Sequence, residues 1–488
     1  MPTEQPPLPT RQLLILSICR FAQPFALGSI FPCIPNYIED LGIPQSKVAI
    51  WLGALAATFA LCESMFAIPW AFFSDYAGRK LAIVIGLLIS MVANICLGFC
   101  TSIAQSMVCF AVAGAANGNL VVMRTTIAEL VLEKELQSTA YSFLPISASI
   151  ASIIGPVVGG NLGKIVPSDH NLLALFQSHR FVLPNLVSGF VFLPGIFTAI
   201  LLLEETCHDR SLRLFTTNGY ETLETSDASN INDSYEADIA LLNLHEPTDE
   251  EESPKGRTRH LNDFENTEGK IVTVDNKRRT WQHFANIYMW INSLSGLHTT
   301  GFDHLLPVFL HSSTARIHSG WSLIQFAHGF GKDSQSIGTL LAGCGIIPIL
   351  TNLFLYPRVA RTYGRLKTLR LGLTITPFIY ATFPFSVVPS HPAVQMICLI
   401  GFLLVKIIVS VSILQCCMIL LTNSVPPRDL ASLNGLNFAV ASICRGLGSF
   451  ISGLMFTFGM SHGYAILPYW ALAGFSSTVI ILACGISS

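Results

Sequence analysis

The sequence predicts an all-α membrane protein, with twelve transmembrane helices in two six-helix pseudo-repeats. Three observations lead there. Of 488 residues, 51% are apolar and only 12% charged, about half the charge of an average soluble domain. The apolar residues gather in runs of about 20, the length that crosses roughly 30 Å of hydrocarbon as a helix. These runs fall six before and six after one polar stretch. The same composition excludes a soluble enzyme and a secreted disulfide scaffold. With 28 basic residues against 30 acidic ones, the chain shows no electrostatic footprint for DNA or RNA.

The expected spans lie at about residues 12–37, 48–72, 81–101, 105–127, 140–162 and 181–203, then at about 285–310, 337–356, 366–386, 393–421, 430–457 and 464–485. The domain reading is therefore an N-terminal bundle over 1–203, a linker over 204–283 and a C-terminal bundle over 284–488. The linker carries the acidic run Asp249-Glu250-Glu251-Glu252 and the basic clusters Arg257-Thr258-Arg259 and Lys277-Arg278-Arg279. It has no sustained apolar periodicity and reads as largely disordered. Met1–Arg11 is proline-rich and has neither a basic n-region nor a small-residue cleavage site, so the first run is expected to be a retained span. Most of the 13 cysteines sit inside apolar runs, where they act as small hydrophobes.

Lys and Arg in the short loops set the expected orientation. With the N-terminus inside, the inner loops carry Arg79, Lys80, Lys134, Arg358, Arg361, Arg365, Lys367, Arg370 and Arg428. The outer loops carry Lys47, Lys164, Arg180, Arg316 and Lys332. Both termini are thus expected in the cytoplasm, which makes Asn232-Asp233-Ser234 a poor glycan acceptor. The halves also echo each other. Gly78-Arg79 after span 2 and Gly364-Arg365 after span 8 hold the same offset, Gly86-Leu87 matches Gly372-Leu373, and Gly155-Pro156 in span 5 matches Gly448-Ser449 in span 11. Such repetition is typical of secondary transporters, whose substrate site lies between the repeats near the midplane.

On these residues the chain resembles the major facilitator superfamily over essentially its full length. Ala71–Lys80 is similar to the family's loop motif G-x-L-x-D-x-x-G-R-K at Asp75, Gly78, Arg79 and Lys80, with Ala71 and Phe73 departing from it. Gly155-Pro156-Val157-Val158-Gly159-Gly160 resembles the span-5 motif of the drug–proton antiporter branch. Arg20, Asn117-Gly118-Asn119, Leu203-Glu204-Glu205-Thr206, Asp303 with Pro307, and Leu421-Thr422-Asn423-Ser424 resemble a fungal group related to zinc-induced-facilitator-like proteins. Three positions depart from the branch: Gln23 replaces a glutamate, Phe110 an arginine linked to proton coupling, and Ser449 a proline.

Each motif has a physical reading. Asp75, Arg79 and Lys80 are expected to form a charge latch between the halves on the cytoplasmic side, with Gly78 permitting the turn. Gly155, Gly159 and Gly160 are expected on one face of span 5, where small residues let helices approach in lipid and Pro156 allows a bend. Charges inside spans are the sharper signal, since each costs at least about 2.5–3.5 kcal/mol at the bilayer centre unless paired or hydrated. Arg20, Glu63, Asp303, Lys406 and Arg445 are such charges. Arg20 lies roughly 25 Å from the outer end of span 1 at 1.5 Å per residue, a depth similar to that of Glu63, so the two can pair. Together with Gln23 and Asn117 these five form the expected substrate and proton pathway. Asp303 is the expected proton carrier: desolvation favours its neutral form, while a nearby Arg445 or Lys406 favours the charged one. A permanent Asp303–Arg445 pair fixing spans 7 and 11 is the structural alternative. Glu129 and Glu133 read as interfacial charges.

His298, His304, His311, His318 and His328 do not match the spacing of a structural metal site, and no metal or other cofactor is expected. No GxxxxGK[ST] loop is present, which excludes nucleotide-driven pumping. The expected function is proton-coupled efflux of small organic molecules by alternating access. The protein is expected to work as a monomer in the plasma or vacuolar membrane. The alternatives are a zinc or metal-chelate facilitator of the same fold and a non-transporting receptor.

Overall fold

A computed structural model describes residues 8–131, 134–162, 181–206, 263–314, 326, 328–424 and 430–485. Outside these lie residues 207–262 of the linker, with its sequon, its acidic run and Arg257-Thr258-Arg259, together with Glu133, Lys164, Arg180, Arg316, His318 and Arg428. Lys277-Arg278-Arg279 instead falls in a helix that starts at Asp263, within the stretch expected to be a largely disordered linker. Met1–Thr206 and Trp281–Ser488 form one compact unit and Cys207–Thr280 a second. Among the described residues the expected spans are helical. In chain order they are Thr10–Ile30, Gln45–Ala77, Arg79–Gly98, Ile103–Leu130, Thr139–Leu162, Val182–Leu202, Asp263–His311, Ser334–Tyr363, Arg365–Thr382, Pro392–Thr422, Leu433–Ser461 and Leu467–Cys484, referred to as spans 1 to 12. No strand is formed among the described residues.

Ten of these segments are long and apolar enough to cross a membrane. Spans 7 and 9 are not, for identifiable reasons. Span 9 opens with Arg365, Lys367 and Arg370, and span 7 carries Asn292, His298, Asp303 and His304 in its apolar part. Asn292 and His298 are buried against neighbouring helices, so the lost hydropathy marks an inward face. The outward faces are the reverse: Met65, Ile397 and Ile481 are 70%, 70% and 73% exposed. A continuous apolar exterior of this kind suits lipid and not water.

The repeat seen in the sequence is a repeat in space. Spans 2 and 8 both end on a left-handed glycine, Gly78 at φ +101° and Gly364 at φ +82°, and an arginine starts the next helix. A Cβ is strained in that conformation. Gly155 and Gly159 abut span 1 so closely that a Cβ would meet Phe25 O at 2.7 Å and Ser29 O at 1.7 Å. At the equivalent place in the second half, a Cβ on Gly448 would meet Leu297 O of span 7 at 2.0 Å. The expectation of one small face on span 5 needs correction. A Cβ on Gly160 would meet Ser334 O of span 8 at 2.8 Å, because a residue five positions on from Gly155 points to another side of a 3.6-residue helix. Span 5 thus packs on span 1 with one face and on the opposite half with another.

Two seams join the halves. Spans 5 and 8 meet at Gly338, where a Cβ would lie 2.4 Å from Pro156 O, and at Gly345, where it would lie 2.7 Å from Ile153. Spans 2 and 11 meet where a Cβ on Gly53 would lie 2.4 Å from Ser449 O, and one on Gly453 2.3 Å from Ala49 O. Asn36 donates to Ser334 Oγ at 2.9 Å, and Ser64 Oγ donates to Ala439 O at 3.1 Å. Gly338→Val is expected to force the first seam apart. A cysteine pair at Asn161 and Gln335, whose side chains are joined by a 3.0 Å hydrogen bond, will then cross-link readily in the parent and poorly in the variant. Equal cross-linking in both would show that the seam tolerates the added bulk.

Candidate functional site

In span 4 the regular helix is interrupted at Gly118-Asn119: one helix ends at Asn117 and the next begins at Leu120, with both intervening residues still in right-handed helical conformation. Gly118 packs where a Cβ would lie 2.9 Å from the Trp70 ring, and Trp70 Nε1 donates to Ala115 O at 2.7 Å. Asn119 Nδ2 donates to Ile83 O at 3.2 Å. Asn117 serves two charges. Its Nδ2 donates to Glu63 Oε1 at 2.5 Å, and its Oδ1 accepts from Arg20 at 3.3 Å. Arg20 and Glu63 are therefore brought together as expected, but through an amide and not as a direct pair.

Glu63 is the hub of this cluster and is only 5% exposed. Its second oxygen accepts from Ser442 at 3.1 Å and from Arg445 at 3.3 Å, both on span 11 of the other half. Arg445 also donates to Ser442 Oγ at 2.7 Å. The structural alternative, an Asp303–Arg445 pair, is not formed: Arg445 pairs with Glu63, and Asp303 pairs with Lys406 on span 10, one of the two neighbours expected for it. Lys406 is buried and stands 5.0 Å from the centre of the Phe302 ring, whereas the Asp303 side chain is 47% exposed. A buried ammonium with one accessible carboxylate and one aromatic face depends on that carboxylate staying charged.

Next to the Glu63–Arg445 pair lies a cavity of about 190 Å³. Leu27, Phe31, Phe59 and Phe110 give it apolar walls, and Glu63, Arg445, His304 and Ser449 give it a polar side. Phe110, where the resemblance implies an arginine, is therefore part of an apolar wall. Ser449, where it implies a proline, bonds His304 Nδ1 at 2.6 Å and donates to Arg445 O at 2.9 Å. The histidines diverge: His298 meets Tyr380 Oη at 3.0 Å, His304 meets Ser449, and His311 faces Glu39 across the halves at 3.4 Å. Among the described residues no group of three His, Cys, Asp or Glu side chains is placed to hold a metal.

Gln23 lies apart from the carboxylates. Both its polar atoms are buried without a hydrogen-bond partner among the described residues, as is Asn119 Oδ1. The two residues share a space of about 20 Å³ with Arg20 and Asn117, enough for one water. One in-span charge escaped the sequence reading. Arg124 of span 4 lies 5.3 Å from the centre of the Phe438 ring of span 11, and Arg445 lies 5.9 Å from the same centre. A basic residue inside an apolar run was the available signal, but Arg124 sits close enough to the span end to pass for an anchor.

At the far end from the seams, Arg79 is 4% exposed. It pairs with Asp75 at 2.6 Å and with Glu129 at 2.8 Å, and donates to Ser74 at 2.5 Å. Glu205 accepts from the backbone N–H of Arg79 at 2.8 Å and of Lys80 at 3.2 Å. A carboxylate there offsets the positive end of the span-3 helix. Thr206 donates to Glu129 at 2.6 Å. The Leu203–Thr206 stretch therefore ties span 6 back to spans 3 and 4, and these partners of Arg79 all belong to the first half.

Comparison with known proteins matches residues 16–315 to the Major Facilitator Superfamily. The chain is 32% identical to the major facilitator superfamily multidrug transporter mfsB of Aspergillus fumigatus, over 95% of this chain and 81% of that protein. It is 21% identical to Protein ZINC INDUCED FACILITATOR 1 of Arabidopsis thaliana, over 97% of this chain and 90% of that one. Among solved structures it resembles a bacterial homologue of the human lysosomal transporter Spinster in an inward-facing, occupied conformation. That likeness has a TM-score of 0.65 at 13% identity and covers 98% of this chain and 96% of that one.

The Glu63–Arg445 geometry yields a stability test. Arg445→Gln removes the one cation that pairs directly with the buried Glu63 carboxylate, and breaking a fully buried pair costs about 3–5 kcal/mol. Arg445 is 34% exposed, so solvent screening lowers the expected loss to about 1–3 kcal/mol. Adding Glu63→Gln to that variant is expected to restore part of the loss, measured by thermal unfolding of the purified protein. Strictly additive losses would mean that the two side chains do not interact.

Proposed function

The chain belongs to the major facilitator superfamily, and from that membership we propose that it is a proton-coupled exporter working by alternating access. That it is an integral, multi-pass secondary transporter of small organic molecules, and not an enzyme, follows from the family and from its transporter relatives. Proton coupling, export, a monomeric state, cytoplasmic termini and a plasma or vacuolar membrane belong to the proposal. So does the domain scheme, with two bundles over 1–203 and 284–488 joined by a cytoplasmic linker over 204–283.

The observation that carries the proposal is the Asp303–Lys406 pair. Asp303 is half exposed and so accessible to protons, while Lys406 is buried and needs a counter-charge. Protonating Asp303 strands Lys406, and the strain favours the alternative state of the transporter. Glu63–Arg445 acts as the latch between the halves in the present state, in which both seams are closed. In the opposite state Asp75, Arg79 and Lys80 close the inner side. Pro156 and Gly160 keep the outer side sealed against span 8 while the inner side is open, and Gly155 and Gly159 hold span 5 tightly on span 1 so that the seam stays rigid.

The test is retention of a chemically varied compound panel in a pump-deficient yeast, with and without a protonophore. Cells carrying the chain are expected to retain less of at least one compound. The protonophore, and separately Asp303→Asn, are expected to restore retention to the level of cells lacking the protein. Export that persists in both conditions would sink the coupling scheme, and unchanged retention of every compound would favour the receptor alternative.

A further inference from the structure

The charges of the candidate region do not balance. It holds four cations, Arg20, Arg124, Lys406 and Arg445, but two carboxylates, Glu63 and Asp303. Asp303 is taken by Lys406. Glu63 is left to serve three arginines: it pairs directly with Arg445 and reaches Arg20 through Asn117. Arg20, Arg124 and Arg445 lie within electrostatic reach of one another and of Glu63. Among the described residues no carboxylate forms an ion pair with Arg124 or Arg20. Arg124 instead stands with Arg445 over the Phe438 ring, one arginine from each half.

Like charges held between two helical bundles repel, and in a water-poor setting the repulsion is far less screened than in bulk solvent. Two arginines beyond the capacity of one glutamate are therefore a standing site for a negative group. Guanidinium forks match carboxylate and sulfonate geometry. Beside them, the cavity of about 190 Å³ is walled by Leu27, Phe31, Phe59 and Phe110 and opens on Arg445. That volume is below the about 300–1,000 Å³ of typical ligand pockets, so it suits a compact apolar body.

We propose that the transported substrate is a small amphiphilic organic anion. Its carboxylate or sulfonate is held among Arg20, Arg124 and Arg445, and its apolar body lies in the adjoining cavity. This rests on the transporter reading and names the substrate class of that same site. Glu63 then acts as a built-in competitor: it holds Arg445 when the site is empty and yields it to the substrate anion. Arrival of the anion thus weakens the one contact by which the carboxylate of span 2 ties to the arginine of span 11, linking substrate binding to separation of the halves.

The test uses the purified full-length chain and three probes that share one apolar body: 4-phenylbutyrate, 4-phenylbutylamine and 4-phenylbutanol. Thermal stabilisation as a function of concentration is the readout. The acid is expected to stabilise the protein and the amine and alcohol to leave it unchanged. Arg124→Gln is expected to weaken the acid by about tenfold, and Glu63→Gln, by freeing Arg445, to tighten it by about tenfold. A merely structural arginine predicts no tightening in Glu63→Gln, so the pair of variants holds even if one folds poorly. The proposal is overturned if the amine stabilises as well as the acid, if the acid has no effect, or if both variants bind it like the parent. Export in yeast that persists alongside such a result would remove the anion reading alone and leave the transporter reading standing.

Discussion

Hydrocarbon offers a charge no water, and this constraint organises the interior of the protein. Glu63 is the point where it acts most strongly. A carboxylate 5% exposed in the middle of span 2 must be satisfied by protein, and its partners come from span 4 and from span 11 of the opposite half. One side chain therefore helps to fix both the internal geometry of the first bundle and its position against the second. Asn117, the last residue of the first helix of span 4, joins Glu63 and Arg20 through its amide.

Close backbone approach is the second organising element, and it is distributed by symmetry. Glycines on span 5 meet span 1, and Gly448 on span 11 meets span 7. Those contacts hold each bundle together. A different set, Gly53, Gly160, Gly338 and Gly453, lines the seams between the bundles. In lipid, apolar side chains gain little by leaving one hydrocarbon for another, so tight packing supplies the association that burial supplies in water. The seams combine this backbone contact with a few side-chain bonds, Asn36 to Ser334, Ser64 to Ala439, Asn161 to Gln335 and Glu63 to Ser442 and Arg445, so that they close through a small set of discrete contacts, which suits a two-state device.

Much of the fold was legible in the sequence because its cause is local and repetitive. Apolar run length marks spans, and Gly78-Arg79 and Gly364-Arg365 mark the same turn twice, both in the left-handed region. The charges of the site were legible as individuals, since any in-span charge stands out, but their partners were not. Whether Arg445 meets Glu63 or Asp303 depends on which faces of spans 2, 7, 10 and 11 come together, and helical spacing within one span says nothing about that. The side assigned to Gly160 failed for a related reason: small-residue spacing shows that close packing occurs and not which neighbour receives it. Arg124 needed the ring of Phe438, a residue more than three hundred positions away, to stand apart from an interfacial anchor.

Charge also decides how much work the proposed proton-coupled export could do. A proton entering down about 100 mV is worth about 2.3 kcal/mol, and one pH unit adds about 1.4. If the exported solute is neutral, that total sustains a gradient of several hundredfold. An anion leaving the negative side moves with the field as well, so each exchange carries two charges and releases about 6 kcal/mol under the same conditions. The excess of arginine over carboxylate between the halves and the energetics of export thus point the same way. Under the proposed exchange of one proton for one exported anion, a site that prefers an anion would select solutes that the membrane potential already helps to expel, and one proton per cycle would hold a gradient of about four decades.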